Sequence, residues 1–189
     1  MLVVQQIVLL IASAVFGFIT LTLLARFFMQ WGRVSFRNPI GHFVIAVTDW
    51  AVMPTRHVIP GLFGLDMASL LLAWVAQILY ILIEIGFGMP VVTPFAIPIL
   101  GLVDLARMAV YLVFGTVLVA VVLSWVGPQV PAAYVFNELS RPFLAPFRRL
   151  IRPLGGIDLS PLVLLLVLQI VLLIIARLRI SLLVSFPVF

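Results

Sequence analysis

PTRHVIPGLFGLDMASLLLAWVAQ, residues 54–77, and PFRRLIRPLGGIDLSPLVLLLVLQ, residues 146–169, are the stretches on which the fold turns. A shift of 92 positions lays one on the other without a gap. It pairs Pro54 with Pro146, Arg56 with Arg148, Ile59 with Ile151, Gly64 with Gly156, Asp66 with Asp158 and Gln77 with Gln169. The same shift sets Pro39 on Pro131, and Gln30-Trp31 matches Ser124-Trp125 if two residues are lost between Trp and Pro. A Pro–Arg–Gly–Asp frame held in register over such a span is the mark of an internal repeat. One unit reads as membrane helix, Trp at its end, amphipathic loop, Pro-x-Arg, Gly-x-Asp, membrane helix. The chain divides into residues 1–90 and 91–189. Each unit crosses the membrane twice, so the copies share one orientation, related by a pseudo-two-fold axis along the membrane normal.

Composition requires the membrane. Of 189 residues, 65% are hydrophobic and 9% charged, and the mean hydropathy is +1.36. A soluble domain has about a quarter of its residues charged, so lipid must be the solvent for most of this surface. Four runs can cross about 30 Å of hydrocarbon: 2–25, 67–86, 108–126 and 162–176, the last short unless it continues. No Lys or Arg precedes the first run, so it is expected to remain as a membrane helix and not as a cleaved signal. Residues 90–103 carry Pro90, Pro94 and Pro98 and read as a re-entrant or interfacial segment leading into the third helix. The apolar tail after Arg179 either lies in the interface or extends the fourth helix.

All eleven basic residues are arginine. Guanidinium groups bind phosphate bidentately, which suits lipid headgroups, and a coding bias towards Arg accounts for the count equally well. Two long loops, 27–66 and 127–161, hold most of these arginines. The positive-inside rule then places both loops in the cytoplasm and both termini outside. With no cysteine there are no disulfides, zinc–thiolate sites or cysteine nucleophiles. No phosphate loop, nucleophile elbow or metal spacing appears, and His42 and His57 have no third ligand near them.

The run Pro146-Phe147-Arg148-Arg149-Leu150-Ile151-Arg152-Pro153 with Gly156-Ile157-Asp158-Leu159-Ser160-Pro161 resembles the signature of the YggT family of bacterial membrane proteins, which has chloroplast and cyanobacterial relatives. The first copy, Pro54-Thr55-Arg56-His57-Val58-Ile59-Pro60 with Gly64-Leu65-Asp66, looks like the same signature. It has His57 for the second Arg and Ala68-Ser69 for Ser-Pro. The resemblance covers essentially the whole chain. It implies a non-enzymatic membrane protein, in a family linked variously to osmotic-stress tolerance, cell or plastid division, nucleoid organisation and cytochrome complex assembly. It brings no catalytic, cofactor or metal residues.

The candidate sites are therefore polar residues at or within the spans. Arg56, Arg141, Arg148, Arg149 and Arg152 form a basic loop patch that either meets anionic lipid or a partner, or only sets topology. Asp66 and Asp158 read as caps of the helices that follow, with Ser160-Pro161 a strong cap and first-turn pair, and as partners of the loop arginines, two readings that are compatible. Gln77 and Gln169 lie eleven residues past their aspartates, roughly 16 Å deep by helix rise, and need interhelical partners, conceivably each other. Glu84, Asp104 and Arg107 read as a structural ion cluster, with a proton relay the sharper alternative. Trp31 and Trp125 anchor helix ends.

The fold class expected is an all-α membrane protein of four transmembrane helices in two tandem parallel helix–loop–helix repeats, with amphipathic segments in the two loops. The function expected is non-catalytic, without cofactor. It acts through the basic loops on membrane lipid, on a membrane-protein partner or in a homo-oligomer, with no direct nucleic-acid contact. The alternative is a small transporter or channel component.

Overall fold

The computed structural model describes residues 2–59, 61, 65–88, 92–126, 131–151 and 158–186, and the described residues form six helices. They are α1 (Leu2–Trp31), α2 (Pro39–Val58), α3 (Met67–Gly86), α4 (Ala96–Val126), α5 (Pro131–Leu150) and α6 (Ser160–Ser185). Four contain stretches long and apolar enough to cross a membrane: Val3–Trp31, Met67–Gly86, Ala96–Trp125 and Ser160–Ser185. The chain is a multi-pass membrane protein. The other two helices, α2 and α5, occupy the Arg-rich loops.

Sequence sets the helix boundaries locally. Asn38 caps α2, its Oδ1 accepting from Gly41 N at 2.8 Å, and Pro39 follows where no N–H is needed. Asp66 caps α3 by accepting from Ser69 N at 3.3 Å. Both loop helices carry internal prolines, Pro54 in α2 and Pro142 and Pro146 in α5. Each removes one backbone hydrogen bond and frees the carbonyl four residues earlier.

Two spans are longer than the sequence indicates. Residues 96–103 are the first turns of α4 itself, so the expected re-entrant or interfacial segment is continuous helix from Ala96 onwards. Pro98 falls in the first turn, where its missing N–H costs no intrahelical bond. Pro94 precedes the helix, and Pro90 lies outside the described residues. The fourth run continues to Ser185, through Arg177 and Arg179.

Inside the bundle, α1 packs against α3 and α4 against α6, while α3 and α4 join the halves. Leu23, Leu24, Val52, Ala68, Ala73 and Leu105 form the central core from α1–α4. A second cluster, Met29, Val34, Val44, Val135 and Leu139, ties α2 and α5 to the end of α1. At the opposite end, Thr93 N donates to Phe186 O at 3.1 Å and Gln5 Nε2 to Phe87 O at 3.4 Å. The N-terminal turns, the α3–α4 connection and the end of α6 thus share one end, and the Arg-rich segments share the other. Helix α6 sits at the rim and is the least enclosed of the four spans.

Candidate functional site

At the loop end, an aspartate at the start of a membrane helix meets an arginine from the preceding loop helix, twice. In the first half, Asp66 Oδ2 accepts from Arg56 Nη2 at 2.5 Å, and Oδ1 from Arg56 Nε at 3.3 Å. Ser69 Oγ donates to Oδ2 at 2.7 Å. A second cation reaches the same carboxylate from inside the membrane: Arg26 of α1 sets Nε 3.2 Å from Asp66 Oδ2. Arg26 Nη1 donates to Asp49 Oδ1 at 2.6 Å and to Thr48 Oγ1 at 2.8 Å, both on α2. The Arg26 and Asp66 side chains are 5% and 1% exposed, so the network of two cations and two anions has a buried centre, with Asp49 and Arg56, 33% and 39% exposed, at its edges. Such pairing is what makes a charge tolerable this far from water. Burial pushes the Asp66 carboxyl up, but hydrogen bonds from Arg56 and Ser69 and the Arg56 charge outweigh it. The group is held below its ordinary 3.8.

The second half repeats the pair without a second cation among the described residues. Arg148 Nε donates to Asp158 Oδ2 at 2.8 Å, and Ser160 N to Asp158 Oδ1 at 3.0 Å. Here the side chains are 52% and 40% exposed. Burial again raises the carboxyl, and hydrogen bonding from Ser160 and the Arg148 guanidinium brings it below 3.8. Beside the pair is a cavity of about 540 Å³, mostly apolar, between α4, α5 and α6. Ser160 is not the cap of α6: Leu159 occupies that position without a side-chain bond, and Ser160 is the first helical residue. Asp158 supplies the N–H acceptor from one position further out.

Of the five patch arginines, Arg56 and Arg148 are thus taken up by Asp66 and Asp158. Arg141 is 70% exposed and lies 3.6 Å from Glu138, one turn away on α5. Arg149 is exposed and has no ion pair among the described residues. Arg152 lies outside them. Capping and arginine binding are present together at Asp66.

Gln77 and Gln169 do not meet. Gln77 is buried and donates through Nε2 to Thr20 Oγ1 of α1 at 2.8 Å. Its Oε1 is buried without a hydrogen-bond donor among the described residues. Gln169 is exposed on the outer face of α6. The helix equivalent to α3 by register is at the rim, so equal depth does not bring the amides together.

At the opposite end, Glu84, Asp104 and Arg107 do gather, and Arg179 joins them. Arg179 Nη2 donates to Glu84 Oε2 at 2.7 Å and its Nε to Asp104 Oδ2 at 3.0 Å, while Arg107 Nη2 is 3.0 Å from Asp104 Oδ1. Two cations and two anions offset one another there. Sequence reasoning missed Arg26, Thr48, Asp49, Thr20 and Arg179 as members of these networks. An arginine five residues inside the Trp31 helix end was the available signal, because an intramembrane charge needs a partner.

The CCB3/YggT family model matches residues 5–87 and 99–179. The chain is 36% identical over 162 residues to the Escherichia coli K12 protein titled "Uncharacterized protein YggT", covering 84% of each. It is 36% identical over 160 residues to the "Uncharacterized protein in proC 3'region" of Vibrio alginolyticus, covering 83% of this chain and 86% of that one. An uncharacterized Haemophilus influenzae protein is 32% identical over 149 residues, 78% and 80% of the two chains. No solved structure matches. With its spans, its Arg–Asp frame and a match along nearly its whole length, the chain belongs to the CCB3/YggT family.

Proposed function

We propose that this protein is a non-catalytic membrane factor of the bacterial inner membrane, whose Arg-rich end faces the cytoplasm and engages anionic lipid headgroups. The observation that carries the reading is how the loop-end arginines are spent. Arg26, Arg56 and Arg148 hold the helices together, whereas Arg149 is exposed without an ion pair among the described residues and Arg141 is mostly exposed beside Glu138. Exposed guanidinium groups at an anionic leaflet contribute about 1 kcal/mol each and fade with salt. Against a transport path stands the fate of the polar residues within the spans. Gln77 is closed off by Thr20, and Glu84, Asp104, Arg107 and Arg179 offset one another at one end.

Two measurements test this. The chain has no cysteine, so Ser35→Cys and Ser185→Cys each carry one unique label. In intact cells an impermeant thiol reagent should reach Cys only in Ser185→Cys; labelling of Ser35→Cys overturns the orientation. In nanodiscs, wild type should melt higher in anionic than in neutral lipid. Arg141→Gln with Arg149→Gln should remove the difference, and equal melting of wild type in both discs overturns the lipid role.

A further inference from the structure

Among the described residues the two Arg–Asp clusters differ by one guanidinium, and a cavity lies at its place. Trp31 ends α1 as Trp125 ends α4, so Arg26, five residues before the first, corresponds to Ala120, five before the second. The surroundings agree. Ala120, Ser124 and Trp125 of α4 line the cavity together with Arg148, Asp158 and Leu162. In the first half, Arg26 touches Asp66, and Gln30 accepts from Arg56 at 3.4 Å. Thr48 stands eight residues before Arg56 and accepts from Arg26; buried Ser140 stands eight before Arg148 and accepts from no guanidinium among the described residues. The α2 carboxylate that shares Arg26, Asp49, is replaced at the corresponding place on α5 by Arg141, which turns outward to Glu138. Cation and second anion have disappeared together. Asp158 is left with one cation among the described residues, beside an apolar-walled cavity of about 540 Å³.

We propose that this cavity binds a phospholipid whose headgroup carries a primary ammonium next to its phosphate, the ammonium standing where Arg26 stands in the first half. Three features select that occupant. Asp158, which accepts from Arg148, has carboxylate lone pairs left for a protonated amine, where Asp66 has Arg26 as its second ion partner. Arg148, already at Asp158, offers its remaining N–H groups to a phosphate one short link away. Walls such as Leu162 and the exposed Trp125, at the end of a membrane helix, suit an acyl chain and glycerol region rather than a soluble amine. The site is independent of the loop electrostatics proposed above. It asks for an ammonium donor, not for net negative charge.

The test is lipid retention by the full chain, measured by native mass spectrometry after exchange through nanodiscs of phosphatidylethanolamine, phosphatidylcholine or phosphatidylglycerol. Wild type should retain phosphatidylethanolamine about tenfold over phosphatidylcholine, whose trimethylammonium cannot donate, as expected for one charge-assisted bond. Ala120→Arg should supply the missing guanidinium from within, remove that retention and melt at or above wild type. Asp158→Asn, which leaves the cavity its volume, should bring the two zwitterionic lipids to equal retention even if Ala120→Arg fails to fold. Equal retention of the zwitterionic lipids by wild type overturns the site. So does preference for phosphatidylglycerol over phosphatidylethanolamine in Arg141→Gln with Arg149→Gln, where the loop attraction is removed, or an unchanged preference in Asp158→Asn. Arg141→Gln with Arg149→Gln should leave the ethanolamine preference intact, which separates failure here from failure of the loop reading.

Discussion

Arg26 and Asp66 meet with Nε 3.2 Å from Oδ2, one from the last two turns of α1 and the other at the first residue before α3. Asp49 of α2 completes the contact, so one guanidinium fastens three helices at the loop end of the first half. In the second half no corresponding ion pair between α4 and α6 is present among the described residues, where Arg148–Asp158 joins α5 to α6.

The two halves should therefore respond unequally to loss of their charges. Arg26→Met strips a buried partner from Asp49 and Asp66 and should cost on the order of 3 kcal/mol. Arg148→Gln removes a half-exposed pair and should cost at most about 1 kcal/mol. Thermal melting of both variants in the same nanodisc checks the ratio, and equal losses would contradict the difference in burial.

Acid should weaken the protein through the same carboxylates. Asp66 and Asp158 both titrate below 3.8 in the folded state, so each binds its proton more weakly folded than unfolded. Their stabilisation is complete above the unfolded value and is lost as pH falls through the folded one. Melting temperature should hold from pH 7 to about 5 and drop below about 4. Asp66→Asn should flatten part of that fall, and an undiminished acid limb in this variant would count against the assignment.

Thr20→Val leaves Gln77 Nε2 buried without its acceptor and should cost about 1–2 kcal/mol. Combining it with Gln77→Leu removes both polar groups and should recover most of the loss. A double-mutant cycle on stability reads the coupling, and additive losses would show that the bond contributes nothing.

Gly41→Ala should be among the most damaging small substitutions. A Cβ there would sit 2.5 Å from Phe36 O and 2.6 Å from Phe36 Cα, backbone atoms that cannot step aside without opening the α1–α2 turn. Gly101→Ala meets the Ile78 side chain at 2.8 Å, which can shift, and should cost less. Expression and melting of the pair give the order, with the Gly41 variant expected to lose on the order of 2–3 kcal/mol.

Much of this was legible in the sequence because the bilayer leaves few choices. Four apolar runs became four spans, and Asp66 and Asp158 lie beside the arginines that share their frame. What escaped depends on which helix ends up enclosed. Gln77 and Gln169 are equivalent by register, yet α3 is walled in by α1 and α4 while α6 has the rim, so one amide is buried and the other exposed. Proline content alone misjudges residues 96–103, since Pro98 in a first turn breaks nothing. Arg26 looks like a loop residue by position, and only its contact with two carboxylates of other helices reveals its place.

The Arg179 contact bears on how the chain is made. Glu84 and Asp104 are synthesised well before the arginine that sits between them, 95 and 75 residues later. Until the last helix arrives, only Arg107 is at hand to neutralise them. A nascent or truncated chain ending before residue 179 would therefore carry a net negative charge at that end of the bundle. That imbalance distinguishes an unfinished molecule from a finished one by its charge, and not only by an exposed helix face.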